Sequence, residues 1–228
     1  MKKFDGKIYY PYSEECKREV MKRLKIYYLQ DADQVFQKIH DKYMEYLERF
    51  NRDLLGKKNS RNSAGGTYDC IFLCCVHELC KEKIPLMEYE EIEKDLILPT
   101  FKKLSFANLN KPIFKRLYYM ADKIAEKKEN KIDDYHMEVE PYDPSQPIRY
   151  RFTSCPVADF AKQFGFLDVL PYLCNVDYYS LEMMNAKLVR VHTLGNGEEC
   201  DYALCGDQGP YLQKHKQYRD EQGYITNY

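Results

Sequence analysis

The stretch AKLVRVHTLGNGEECDYALC, Ala186 to Cys205, constrains the fold most. Asn-Gly between two alternating runs is the strongest short-range signal for a β-hairpin. A two-residue loop at Asn196 and Gly197 pairs Leu194 with Glu199, Thr193 with Cys200, His192 with Asp201 and Val191 with Tyr202. One face then collects Val189, Val191, Thr193, Cys200, Tyr202 and Leu204 and is the face to bury. The other carries Arg190, His192 and Asp201, with His192 directly across from Asp201 for a charge-assisted contact. A three-residue loop slides the register by one, sets His192 against Cys200 and mixes polar with apolar residues on both faces. The two-residue loop is preferred because it segregates them. Cys200 and Asp201 are neighbours in sequence but point to opposite faces of the strand.

The rest of the chain supplies helices first and strands later. From Ser13 to about Leu55, Val35, Phe36, Ile39, Tyr43, Tyr46, Leu47 and Phe50 recur at helical steps. Gly56 to Gly66, GKKNSRNSAGG, reads as a loop. An apolar helix follows in TYDCIFLCCVHELCKEK and stops at Pro85. Segments 88–103 and 112–128 are further helices, with Pro112 suited to a first helical position. Near Asp133 the period changes. Two alternating runs flank a Pro- and Asp-containing turn, with Ile148, Tyr150 and Phe152 on one face and Arg149 and Arg151 on the other. TSCPVADFAKQFG returns to helix, started at Pro156 and stopped at Gly165. DVLPYLCNVDYYSLEMMN makes one or two short helices, with Asp168 and Asp177 as candidate N-caps. The expected architecture is α+β: a helical part over 1–130, then a four-stranded or larger antiparallel sheet interrupted by short helices over 131–206, and a polar tail over 207–228, all in one domain.

Charge and composition narrow the partners. Thirty-five Lys and Arg against thirty-six Asp and Glu give a net charge of -1, so no overall field draws the chain to nucleic acid or anionic lipid. A small-molecule partner is expected, with neither nucleic acid nor membrane. No Gly-rich phosphate loop follows any strand, which argues against nucleotide chemistry. The N-terminus has no apolar signal core, and no run approaches the roughly 18 apolar residues of a membrane span. A cytoplasmic location is expected, where nine cysteines serve as free thiols or ligands and not as a disulfide framework.

Among the thiols, Cys155 is the first nucleophile candidate, because SCPVAD places it at the N-terminus of a helix, where a thiolate is stabilised. Cys174 and Cys200 sit on short elements of the same half, so a common pocket is open to them. Three thiols with Asp177 or His192 could hold zinc, but their spacing matches no ligand-pair signature. No cofactor is expected. Cys70, Cys74 and His77 form one stripe of their helix, a pattern that ordinarily belongs to a core. Arg149 or Arg151 could grip a substrate carboxylate, although a solvated sheet face is the plainer reading. His77 and Tyr68 are the candidate pocket contributors of the helical half.

The order Cys155-Pro156, Cys174 with Asp177, Arg190, Thr193-Leu194, Gly197 and Cys200-Asp201 resembles the L-2-amino-thiazoline-4-carboxylic acid hydrolase family. The likeness is clear over the last third of the chain and echoed in SAGGTYDCIFLCC. Gly195 replaces an alanine and Tyr202 a phenylalanine of the pattern. The layout also looks like small-molecule-binding domains of the vinyl-reductase-associated type, at the level of fold. The family likeness implies a hydrolase that opens a thiazoline ring toward a carbamoyl-cysteine. On that implication Cys155 or Cys200 attacks the ring carbon, Asp177 or the pair of His192 and Asp201 handles protons, and Arg190, Thr193 and Cys174 bind substrate. Two alternatives stand beside it: water activated by a carboxylate with the thiols only structural, and a non-enzymatic binder or sensor that uses the same pocket.

Overall fold

A computed structural model describes residues 2–4, 7–9, 12–50, 61–130 and 135–227. A two-stranded ribbon of β1 (Lys2–Phe4) and β2 (Lys7–Tyr9) precedes α1 (Glu14–Tyr28) and α2 (Ala32–Arg49). Ser13 caps α1 by accepting the Cys16 amide on its Oγ at 3.0 Å, leaving one fewer orphan donor at the helix start. The single helical run expected from Ser13 onward is broken at Leu29, whose φ of 51° turns the chain through a short 3-10 segment, Leu29–Asp31.

Next comes α3 (Arg61–Cys80). Its N-terminal residues 61–66 were expected in a loop and are helical instead; residues 56–60 of that loop, and the end of the first run to Leu55, lie outside the described residues. From Thr67 to His77 all but Asp69 and Cys70 are buried, as suits a helix apolar on every side, and packing of those turns carries the glycines at its start into helix. Two further helices are α4 (Leu86–Lys102) and α5 (Pro112–Glu129). Among the described residues no helix is long and apolar enough to cross a membrane.

The second half holds β3 (His136–Val139), β4 (Ile148–Ser154), α6 (Pro156–Phe164), α7 (Leu170–Cys174), α8 (Val176–Glu182), β5 (Ala186–Val189) and β6 (Cys200–Gly206). Pro156 opens α6 and Gly165 closes it at φ 83°, a left-handed turn that glycine adopts without a Cβ penalty. The sheet is antiparallel and four-stranded, in the order β3-β4-β6-β5. Ile148 faces Leu204, Tyr150 faces Tyr202 and Phe152 faces Cys200, which sets these residues on one side and Arg149 and Arg151 on the other.

The hairpin differs from expectation by one register step. Val189 sits opposite Ala203 and not Leu204, and pairing stops there. A wide turn follows, in which the Asp201 carboxylate accepts the amides of Val191 and His192 and Asn196 Oδ1 accepts the Thr193 amide at 2.8 Å. Side-chain capping of the backbone has displaced the tight two-residue loop. The shift moves Arg190 from the outer face to the inner one, where it is 1% exposed.

The polar tail expected over 207–228 is also corrected. Pro210–Lys214 forms a 3-10 turn, and β7 (Gln217–Arg219) pairs with β8 (Ile225–Asn227). Tyr224, Ile225, Thr226 and Asn227 are buried. Their polar groups serve the interior: Asn227 Oδ1 accepts from the Tyr178 hydroxyl at 2.8 Å and the Arg190 amide at 3.2 Å, and Asn175 Oδ1 accepts the Ile225 amide at 2.8 Å. A polar sequence that satisfies buried backbone groups resembles a solvated one in composition alone.

The buried side chains form two clusters, one centred on α1, α2 and α3 with α6 and α7, the other between α8 and the sheet. Phe152 and Tyr202 pack against both.

Candidate active site

Beside Phe152 and Tyr202 opens a cavity of about 480 Å³. Five separate parts of the chain bring chemistry to it: Ser13 and Glu15 from the start of α1, Asp69 and Cys70 from α3, Glu93 from α4, Cys155, Cys174 and Asp177 from the ends and first turns of α6 to α8, and Cys200 and Tyr202 from β6. Cys155 is the N-cap residue of α6.

Of the residues singled out in the sequence, Cys155, Cys174, Asp177 and Cys200 line this one cavity. Asp177 is not an N-cap: it lies in the first turn of α8, behind Asn175, and its Oδ2 accepts from Arg190 at 2.9 Å and from the Tyr202 hydroxyl at 2.7 Å. Arg190 does not line the space. Its guanidinium lies behind the wall, donating to Asp177 and to the carbonyl of Cys174, so it orders the site and does not offer a free fork to a substrate. Burial works against its charge, yet Tyr202 and Asp177 more than compensate and hold it firmly protonated.

Thr193, His192 and Asp201 are elsewhere. Thr193 builds the wide turn with Asn196. His192 and Asp201 meet through the His192 amide and the Asp201 carboxylate, not ring to carboxylate, and Asp201 faces a different cavity with Arg149 and Arg151. Those arginines already have partners: Arg151 pairs with Glu138 and Glu199, and Arg149 donates to the Tyr211 hydroxyl. The two contributors expected from the helical half are also corrected. His77 is bound to Asp168 at 2.8 Å and Tyr68 is core. Asp168 is likewise no N-cap, because Val169 takes that place.

Asp69 and Glu93 were not anticipated, and Cys70, read with Cys74 and His77 as a core stripe, lines the cavity instead. Asp69 and Cys70 lie inside SAGGTYDCIFLCC; Glu93 stands on the apolar face of α4 with Tyr89, Ile92 and Leu96, where a carboxyl among apolar residues three and four apart is a visible anomaly. Glu93 is 3% exposed, and its Oε1 accepts from the Cys70 thiol at 3.5 Å. Burial, aided by the charges of Asp69 and Asp177, pushes its carboxyl up to about 8, so it keeps its proton near neutral pH. Burial also raises Asp69, although the Ser13 amide and hydroxyl bind its carboxylate at 2.6 and 2.8 Å.

The thiols of Cys70, Cys174 and Cys200 are tuned the other way from a generic nucleophile. Burial drives Cys200 up to about 12, against the Leu194 amide that donates to its Sγ at 3.1 Å. Cys174 and Cys70 are raised well above an ordinary thiol, again by burial first. Among the described residues no three of the His, Cys, Asp and Glu side chains are placed to hold a metal ion.

The model of the L-2-amino-thiazoline-4-carboxylic acid hydrolase family matches residues 60–204, well over half of the chain. The chain belongs to that family. The matched span begins at the foot of α3 and ends in β6, so the thiols of the cavity and its carboxyls Asp69, Glu93 and Asp177, together with Arg190, fall inside it, whereas Glu15 of α1 does not. Ser13, which holds Asp69, and the C-terminal hairpin that anchors Arg190 through Asn227 fall outside it. No curated protein and no solved structure matches the chain significantly.

Proposed function

We propose that the cavity hydrolyses a cyclic amidine-like carbon flanked by nitrogen and sulfur, with 2-amino-thiazoline-4-carboxylate as the reference substrate and a carbamoyl-cysteine as its product. The observation that carries this reading is the convergence of Cys155, Cys174, Cys200 and Asp177, from separate elements of the family-matched span, on one cavity that Glu93 also lines.

Cys155 is the nucleophile in this scheme. Its backbone starts α6, the end at which developing negative charge on sulfur is favoured, whereas burial holds Cys174 and Cys200 as thiols. Asp177 takes the Cys155 proton; its Oδ2 is occupied by Arg190 and Tyr202, and Oδ1 receives neither bond. The Cys155 sulfur adds to the ring carbon, the bond from that carbon to the ring sulfur breaks, and Glu93 gives its proton to the departing sulfur. An amidine remains joined to Cys155. Water then loses a proton to the Glu93 carboxylate and adds to the same carbon, and the bond to Cys155 breaks. Asp177 returns the proton to the thiol and a urea group is left on the product.

Separate Cys155→Ser and Cys200→Ser variants test this scheme. Loss of turnover in the first with retention in the second supports it. Full turnover in both moves the chemistry to water activated by Asp177 or Glu93, and binding of the substrate without turnover in the unaltered chain supports a non-enzymatic binder.

A further inference from the structure

The carboxyls of the cavity outnumber the cations that serve them. Glu15, Asp69, Glu93 and Asp177 all line it, and among the described residues no Lys, Arg or His does. Arg190, behind the wall, is committed to Asp177. Asp69 is held by neutral donors, the amide and hydroxyl of Ser13 and the thiol of Cys16, and Glu93 by the thiol of Cys70. Asp69 and Glu93 therefore have no cationic partner among the described residues, although both stand in a space open to a ligand.

We propose that the ligand itself supplies the missing charge: a protonated amidine, isothiourea or guanidine group seats between Asp69, Glu93 and Asp177, Glu93 releasing its proton as the cation binds and regaining one from the bound cation when it acts as acid, and the cavity makes no demand for a carboxylate on the ligand. The planar N–H groups of such a cation match carboxylate oxygens two at a time. The remainder of the wall suits an organic body, with Leu96, Ile97 and Val157 apolar and the rings of Phe152 and Tyr202 able to face a delocalised cation. A metal ion fits less well, since no three ligating groups converge. The raised carboxyls of Glu93 and Asp69 agree with groups lacking a countercharge. A carboxylate carried into this cavity would meet acids and no free base. The inference rests on the hydrolase reading for the ring chemistry and departs from it in substrate class: cyclic isothioureas and amidines are accepted whether or not they bear a carboxylate.

Calorimetric titration of the full chain at pH 7.5 with three probes tests it: 2-amino-2-thiazoline, a cation; 2-amino-thiazoline-4-carboxylate, the same ring with an added carboxylate; and 2-methyl-2-thiazoline, neutral at that pH. The cation is expected to bind at least as tightly as the carboxylate-bearing ring and about tenfold or more tighter than the neutral one, as loss of a charge-assisted contact implies. Glu93→Gln is expected to remove most of that preference while leaving the neutral ring little changed. Equal binding of the cationic and neutral rings, or about tenfold tighter binding of the carboxylate-bearing one, overturns the inference. Turnover of 2-amino-thiazoline-4-carboxylate is measured alongside. Turnover without cation preference removes this inference alone, and cation preference without turnover of either aminothiazoline removes the hydrolase reading alone.

Discussion

Arg190 holds Asp177 at 2.9 Å from a side chain that is 1% exposed, while Asp177 itself remains 38% exposed toward the cavity. The pair is a buried cation bracing a reachable carboxylate. Removing the cation leaves Asp177 without its countercharge and strands the Cys174 carbonyl, while the Tyr202 hydroxyl keeps only its bond to Asp177. Arg190→Met is therefore expected to cost about 3 kcal/mol, the low end for breaking a buried pair, read from urea unfolding. A loss below about 1 kcal/mol, the range of surface pairs, would show that the bracing contributes nothing.

The thiols of the cavity should differ in reactivity. Alkylation at pH 7.5 with mass mapping is expected to modify Cys155 first and to leave Cys174 and Cys200 protected until the protein unfolds, because burial keeps both protonated. Equal rates at Cys155 and Cys200 would remove the ground for choosing between them.

Glu93 should tie stability to pH. Its carboxyl rises from an ordinary 4.5 to about 8 in the folded chain, so between those values the folded state keeps a proton that the unfolded state has released. This contribution is fully present below about pH 4.5 and is lost as pH rises toward 8, by about 1.4 kcal/mol per pH unit. Asp122, raised to about 8 by burial, adds a slope of the same sign. Comparison of Glu93→Gln with the unaltered chain isolates the Glu93 share: the variant should lose less stability between pH 5 and 8. Parallel stability curves for the two proteins would refute the assignment.

The C-terminal hairpin should be integral to the fold. Glu90, fully buried, accepts from Arg219 on both oxygens at 2.9 Å and from Asn175 at 2.9 Å. Those hydrogen bonds outweigh the burial penalty and hold its carboxyl below the usual range. Arg219→Met is expected to lower stability by about 3 kcal/mol, with the loss shrinking as pH falls and Glu90 takes up a proton. An unchanged thermal midpoint would return these residues to the status of a solvated tail.

The alternation of Ile148, Tyr150 and Phe152 and the start and stop of α6 at Pro156 and Gly165 were legible in the sequence, because each depends on local period or caps, whereas the meeting of Cys155, Cys174 and Cys200 stays open there because it depends on how three short elements pack. The inward turn of Arg190 was not. It follows from a one-residue register shift that Asp201 and Asn196 impose by binding backbone amides, and side-chain capping of that kind leaves no mark in an apolar–polar pattern. The burial of β8 was hidden for a related reason: its sequence surroundings are polar, and burial of a polar group is decided by distant partners such as Asn175 and Tyr178. Glu93, by contrast, left a mark, a carboxyl on an apolar helix face, whose partner Cys70 only the fold supplies.

The most direct measurement incubates the purified chain with 2-amino-thiazoline-4-carboxylate and follows the product by mass spectrometry, in parallel with Cys155→Ser. The expected result is a carbamoyl-cysteine, heavier than the substrate by one water, formed by the unaltered chain and not by the variant, with a transient adduct on Cys155. Undiminished turnover by Cys155→Ser would contradict the covalent route, and absence of product with the unaltered chain would contradict the hydrolase reading itself.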